Sequence, residues 1–234
     1  MSRADRFAVH SGIYLVTDGA LCGPRGVVET VRAAVEGGVG AVQLRDKTSE
    51  TAVQLRQVER LAEVIAGRAQ LLVNDRLDVV LAARRRGIPV DGVHLGQGDA
   101  GASEAREALG ADAVVGITAN TCEHLAELAE LDAGTVDYLG VGVIRPTSTK
   151  SDHPPALGVD GFARLATATQ VPCVAIGGIV CRTCRGCAGP VRQVSQWSRR
   201  SAPRPTRLRP QALSSARGRP VLTRKPRTER KAPA

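Results

Sequence analysis

Short apolar runs and one-sided apolar stripes alternate from residue 13 to about residue 180, which predicts strands and helices in turn. Ile13-Tyr14-Leu15-Val16-Thr17 reads as a strand with Asp18 at its end. Val27, Val31, Ala34 and Val35 then share one helical face, and Gly37-Gly38 stops that helix. Ala41 to Leu44 is the second strand, and Leu55, Val58, Ala62 and Ile65 form the stripe of the second helix. Leu71-Leu72-Val73-Asn74-Asp75 is again apolar and again ends in polar residues.

The unit recurs. Leu77 to Arg86 reads as a helix, Gly92 to Gly96 as a fourth strand, and Ser103 to Leu109 as a helix with Ser103 as its N-cap. Ala113 to Ile117 is the fifth strand, followed by a helix carrying Leu125, Leu128, Ala129 and Leu131. Val136 to Val143 is the sixth strand, Ile144 to Leu157 a long polar loop, and Phe162 to Ala168 a helix. Val171 to Ile176 is the seventh strand, ending in Gly177-Gly178. Strands alternating with helices at this spacing imply a parallel sheet. No G-x-G-x-x-G follows the first strand, so a dinucleotide-binding open sheet has no support. Polar clusters at most strand ends favour an α/β barrel of the TIM (β/α)8 type with seven recognisable strands.

Charge divides the chain in two. Its net charge of +9 is the sum of −5 for residues 1–180 and +14 for residues 181–234, where Glu229 is the single acid. We therefore expect an incomplete barrel domain over 1–180 and an Arg/Pro-rich disordered tail over 181–234. Only 2% of residues are aromatic, so Val, Leu, Ile and Ala must fill the core. No apolar run approaches a membrane span and Met1 to Ser11 holds no apolar leader, so a soluble cytoplasmic protein is expected. Cys22, Cys122 and Cys173, scattered through the body, fit reduced thiols.

The strand ends carry the candidate chemistry. Gln43-Leu44-Arg45-Asp46-Lys47 sets an Arg and a Lys where a phosphate-rich ligand could be held. Asn74-Asp75 and Asp99 follow strands three and four. Strand neighbours lie about 4.8 Å apart, so two such carboxylates can reach one Mg²⁺. Pro146-Thr147-Ser148-Thr149-Lys150 adds three hydroxyls and an ammonium suited to an anion. Gly177-Gly178 would let the backbone approach a ligand closely. Each alone also reads as an ordinary loop; together they read as a metal–diphosphate site.

The ordered set Tyr14-Leu15-Val16-Thr17-Asp18, Gln43-Leu44-Arg45-Asp46-Lys47, Leu72-Val73-Asn74-Asp75-Arg76, Gly92-Val93-His94-Leu95-Gly96-Gln97, Tyr138-Leu139-Gly140-Val141-Gly142 and Ala175-Ile176-Gly177-Gly178-Ile179 resembles the thiamine-phosphate synthase family. The resemblance implies a Mg²⁺-dependent transferase that condenses hydroxymethylpyrimidine diphosphate with thiazole phosphate, releasing diphosphate. It implies Gln43, Arg45, Lys47, Asn74, Thr118 and Lys150 on the pyrimidine diphosphate, with Thr118 in place of the family's Ser. Thr147, Ser148, Thr149 and Gly178 would meet the thiazole phosphate, and Asp75 and Asp99 the metal. No acid or base catalyst is assigned. The related thiazole tautomerase is the alternative on the same barrel, but it has no need of Gln43, Arg45, Lys47, Asp75 and Asp99 together. Arg145 stands where the family usually has Phe, and Arg84 to Pro89 lengthens a connection expected at the barrel's far face.

After Ile179 the family's remaining strand and helices find no counterpart. Seven prolines and no apolar period mark residues 181–234, and a reading-frame shift near codon 180 would produce such a break. A barrel without its eighth strand should leave strands one and seven with open edges, poorly soluble and largely inactive. Cys181, Cys184 and Cys187 have metal-ligand spacing without an evident fourth ligand. The polycationic tail offers a reading of another class, non-specific nucleic-acid binding.

Overall fold

Along each strand, alternate residues serve two different cores. The computed structural model describes residue 7, residues 13–96, 101–146 and 155–179, and the backbone of 194–198. Strands β1 (Ile13–Val16), β2 (Ala41–Leu44), β3 (Gln70–Asn74), β4 (Gly92–Leu95), β5 (Val114–Thr118), β6 (Tyr138–Gly142) and β7 (Cys173–Ile176) are parallel neighbours in chain order. Tyr14, Ala41, Leu72, Val114, Tyr138 and Val174 point inward and pack together with Phe7. Their sequence neighbours Leu15, Val42, Val73 and Val115, with Val93 on β4, point outward, against helical residues such as Val31, Leu55 and Val58. Burial on both faces is why these strands read as continuous apolar runs.

The helices follow their stripes. Helix α1 (Gly19–Cys22) is one turn capped by Asp18, whose Oδ1 accepts from the N–H groups of Ala20 and Leu21. Helices α2 (Gly26–Glu36), α3 (Thr51–Ile65), α4 (Leu77–Arg85), α5 (Ala102–Leu109), α6 (Cys122–Ala129) and α7 (Gly158–Thr167) cover the barrel's outside. Ser103 is not the cap of α5: Gly101 holds that position without a side-chain bond, and Ser103 lies inside the first turn. Leu131 lies past the end of α6.

The far face is braced by buried charge. Arg84 donates to the carbonyls of Val90, Leu109 and Asp91 there, so the lengthened connection at Arg84 to Pro89 sits away from the strands' carboxyl ends. Nearby, Arg106 donates to Asp137 Oδ2 at 2.6 Å and to the carbonyls of Thr135, Gly110 and Ala113. The fully buried Asp137 also accepts from Val115 N–H.

The seven parallel strands of a TIM-type barrel are present as expected, and one further strand joins them. The backbone of Val194–Ser198 forms β8, which pairs with both β1 and β7 and closes the barrel. It runs antiparallel to them, with Val194 opposite Leu15 and Ser198 opposite Cys173. Direction explains why an eighth βα unit is dispensable. A parallel strand needs a crossover of a dozen or more residues, usually a helix, whereas an antiparallel one starts at the end where β7 stopped. The edges of β1 and β7 are therefore paired, and the stated reason for poor solubility falls away.

The chain divides into two compact units, Met1–Ser201 and Ala202–Ala234, and every described residue belongs to the first. No helix among the described residues is long and apolar enough to cross a membrane. Cys22, Cys122 and Cys173 are free thiols. Cys181, Cys184 and Cys187 lie outside the described residues.

Candidate active site

Strand direction gathers the predicted residues at one end of the barrel. Gln43 is on β2 with Arg45 just beyond it, Asn74 ends β3 with Asp75 next, and Thr118 is the last residue of β5. Gly178 follows β7 at the same end. Asp99, Thr147, Ser148, Thr149 and Lys150 lie outside the described residues.

The loop after β2 is built by Asp46. Its Oδ1 accepts from the backbone N–H of Thr48 at 3.1 Å and of Ser49 at 3.0 Å, and its Oδ2 from Gln57 Nε2 at 2.9 Å. Buried Gln54 ties the loop to α3 by donating to the carbonyls of Asp46 and Ser49. Burial of Asp46 opposes its ionisation, but Ser49's side chain and backbone, Thr48 and Gln57 outweigh it and hold the carboxyl at about 2. Asp46 thus shapes the loop that carries Arg45 and Lys47. Arg45 N–H donates to the buried Thr17 hydroxyl at 3.0 Å, and its guanidinium stands 3.8 Å from Asp18. Lys47 is exposed.

At the end of β3 the backbone turns sharply. Asp75 has φ 62°, a left-handed conformation uncommon outside glycine, and its N–H donates to the His94 carbonyl at 2.8 Å. Asn74 Nδ2 donates to Asp75 Oδ2, so the amide holds the carboxylate. Asp75 and Asp99 are hard oxygen donors, the set that suits Mg²⁺. Among the described residues no three His, Cys, Asp or Glu side chains cluster as a metal site of their own.

Across the mouth, Gly177 and Gly178 have φ 87° and 68°, and a Cβ on Gly178 would meet the Arg145 carbonyl at 2.6 Å. Arg145 N–H donates to the Gly177 carbonyl, so the glycine pair packs directly against Arg145. Asn120, which was not singled out from the sequence, accepts from Gly142 N–H and ties the end of β5 to β6.

Beneath this rim runs a polar chain from Gln43 to Thr118 whose middle members, Tyr14, Tyr138 and His94, appear in the sequence motifs without an assigned role. Gln43 Nε2 donates to Tyr14 OH at 2.9 Å, and Tyr14 OH lies 2.7 Å from Tyr138 OH. Tyr138 OH lies 2.8 Å from His94 Nδ1, and His94 Nε2 lies 3.2 Å from Thr118 Oγ1. Phe7 stacks on Tyr138 with ring centroids 4.0 Å apart. Burial pushes both phenols well above the ordinary tyrosine value, so each keeps its proton. One signal could have found the chain: polar atoms at inward positions of apolar strands must bond one another.

Known proteins resemble this chain in sequence and fold. The family model described as thiamine monophosphate synthase matches residues 13–188. Thiamine-phosphate synthase of a Psychrobacter species is 40% identical over 179 residues, covering 76% of this chain and 82% of the relative. The Albidiferax ferrireducens thiamine-phosphate synthase is 44% identical over 168 residues, covering 71% and 73%. A solved structure, thiamine phosphate pyrophosphorylase from Pyrococcus furiosus, is 32% identical with a TM-score of 0.58 and covers 71% of this chain and 74% of its own.

Proposed function

Since the chain belongs to the thiamine monophosphate synthase family, we propose that it condenses hydroxymethylpyrimidine diphosphate with thiazole phosphate, forming thiamine phosphate and releasing diphosphate. The observation that carries the reading is the joint placement of Gln43, Arg45, Asn74, Asp75 and Thr118 at the strands' carboxyl ends, where barrels of this kind build their sites. A tautomerase would have no use for the diphosphate-binding part of that set.

The roles follow from charge and position. Arg45 and Lys47 attract the diphosphate and stabilise the negative charge that grows as its bond to the pyrimidine methylene breaks. Asp18 beside Arg45 and Thr17 beneath it limit where the guanidinium can go. Asp75 and Asp99 are the residues that would hold a Mg²⁺, which when bound supplies further neutralisation of the leaving diphosphate. Gln43 and Thr118 orient the pyrimidine ring. Lys150 joins Arg45 and Lys47 at the diphosphate, while Thr147, Ser148 and Thr149, with the backbone at Gly178, take the phosphate of the second substrate, whose ring nitrogen attacks the freed carbon. We place the reaction in the cytoplasm, in keeping with three free thiols.

Steady-state turnover with both substrates and varied Mg²⁺ tests this. Turnover should require the metal, and Arg45→Ala should lower kcat/KM for the pyrimidine substrate about 10–100-fold, the worth of one charged hydrogen bond. Thiazole tautomerisation without condensation would reverse the assignment.

A further inference from the structure

The five-residue chain beneath the mouth crosses the barrel from β2 through β1, β6 and β4 to β5. Each hydroxyl in it has one proton to give, and the neutral imidazole has one N–H and one acceptor nitrogen. With Gln43 Nε2 donating to Tyr14, the Tyr14 proton goes to Tyr138 and the Tyr138 proton to His94 Nδ1. His94 then carries its hydrogen on Nε2 and donates it to Thr118 Oγ1. Turning only part of the chain round would make one tyrosine accept from both neighbours and leave its own proton undonated along the chain, so just two directions use every proton. Gln43's amide orientation selects between them.

We propose that Tyr14, Tyr138 and His94 are positioning residues whose one-way hydrogen-bond chain sets matched polarities at Gln43 and Thr118. In this direction Gln43 turns Oε1 away from Tyr14 as an acceptor, and Thr118 directs its own O–H away from His94 as a donor. The ring recognised between them presents an N–H on one edge and a lone pair, such as a pyrimidine nitrogen, on the other. The packing supports a dedicated conduit. A Cβ on Gly116 would meet the Tyr138 ring at 2.1–2.5 Å, and one on Gly140 would meet His94 Cε1 at 2.9 Å. Both strands give up a side chain to admit the two rings. Hydrogen bonds in such a buried series also strengthen one another. The specificity statement rests on the proposed function, whereas the direction of the chain does not.

Two measurements on the full-length protein decide it. Nuclear magnetic resonance of the ¹⁵N-histidine-labelled protein, with the His94 signals identified by their loss in His94→Gln, should show the Nε2–H tautomer. The Nδ1–H tautomer, or an even mixture, would overturn the proposal. Tyr14→Phe keeps the ring and removes the anchor of Gln43, so KM for the pyrimidine diphosphate should rise about tenfold, the worth of one hydrogen bond. KM for thiazole phosphate should stay as it is, while the His94 tautomer, no longer tied to Gln43 through Tyr14, should become mixed. Tyr138→Phe should likewise release His94 into a tautomer mixture. Unchanged pyrimidine KM in Tyr14→Phe together with an unchanged tautomer in Tyr138→Phe would refute the chain. A wild-type protein without turnover would sink the functional reading alone, since the tautomer arm needs no activity.

Discussion

The hydroxyls of Tyr14 and Tyr138 lie 2.7 Å apart inside the barrel although 124 positions separate them in the chain. Tyr138 reaches that far only because Gly116 on the neighbouring strand has no side chain in its path. The core at this height is a fit between one large ring and one missing methyl group.

Gly116→Ala should therefore cost about 1–3 kcal/mol by overpacking, since its methyl would run into a ring wedged between Phe7 and His94. For a domain of this size that corresponds to a fall in Tm of about 2–4 °C per kcal/mol. Gly140→Ala, which meets only the edge of His94, should cost less. Calorimetry of the two variants checks the order.

Asp137 and Arg106 form a pair of which the carboxylate is fully buried. Removing the arginine leaves an uncompensated buried charge and several backbone carbonyls without their donor. Arg106→Ala should cost about 3–5 kcal/mol in urea unfolding. Because the pair lies opposite the mouth, KM for both substrates should remain unchanged in whatever fraction stays folded.

Asp46 gives a pH signature. Its folded-state value of about 2 lies below the ordinary carboxylate value, so the folded state binds the proton less readily than the unfolded chain. Its contribution to stability is present above about pH 4 and is lost as pH falls from there through about 2. Melting temperature should drop over that window, and Asp46→Ala should flatten this part of the profile while lowering stability at neutral pH.

Strand β8 makes a prediction about truncation. Ending the chain after residue 201 removes only the second unit and should preserve a cooperative melt. Ending it after residue 193 removes β8 and opens the edges of β1 and β7, so that variant should aggregate. Light scattering and thermal unfolding of the two chains separate the outcomes.

The site was legible where chemistry sits on short contiguous segments. Gln43 to Lys47 and Asn74-Asp75 are recognisable because a strand ends and polar residues begin, and strand direction alone sends them to one end of a barrel. Asp46's part was hidden, because a charged residue between Arg45 and Lys47 looks like another ligand until its bonds to Thr48, Ser49 and Gln57 are seen. The Ser103 cap failed for a related reason: Gly101 could take the extended backbone without offering a side chain.

By itself the sequence determined the seven parallel strands, their order, the helices that cover them and the family. Those depend on apolar periodicity and on contacts between successive units, which are local properties of the chain. Tertiary structure alone decided two things. One is the closure by β8, because a strand of five residues takes its direction from the edges it fills rather than from its own pattern. The other is the chain from Gln43 to Thr118, because its five members come from five strands and meet only once the barrel is closed around them.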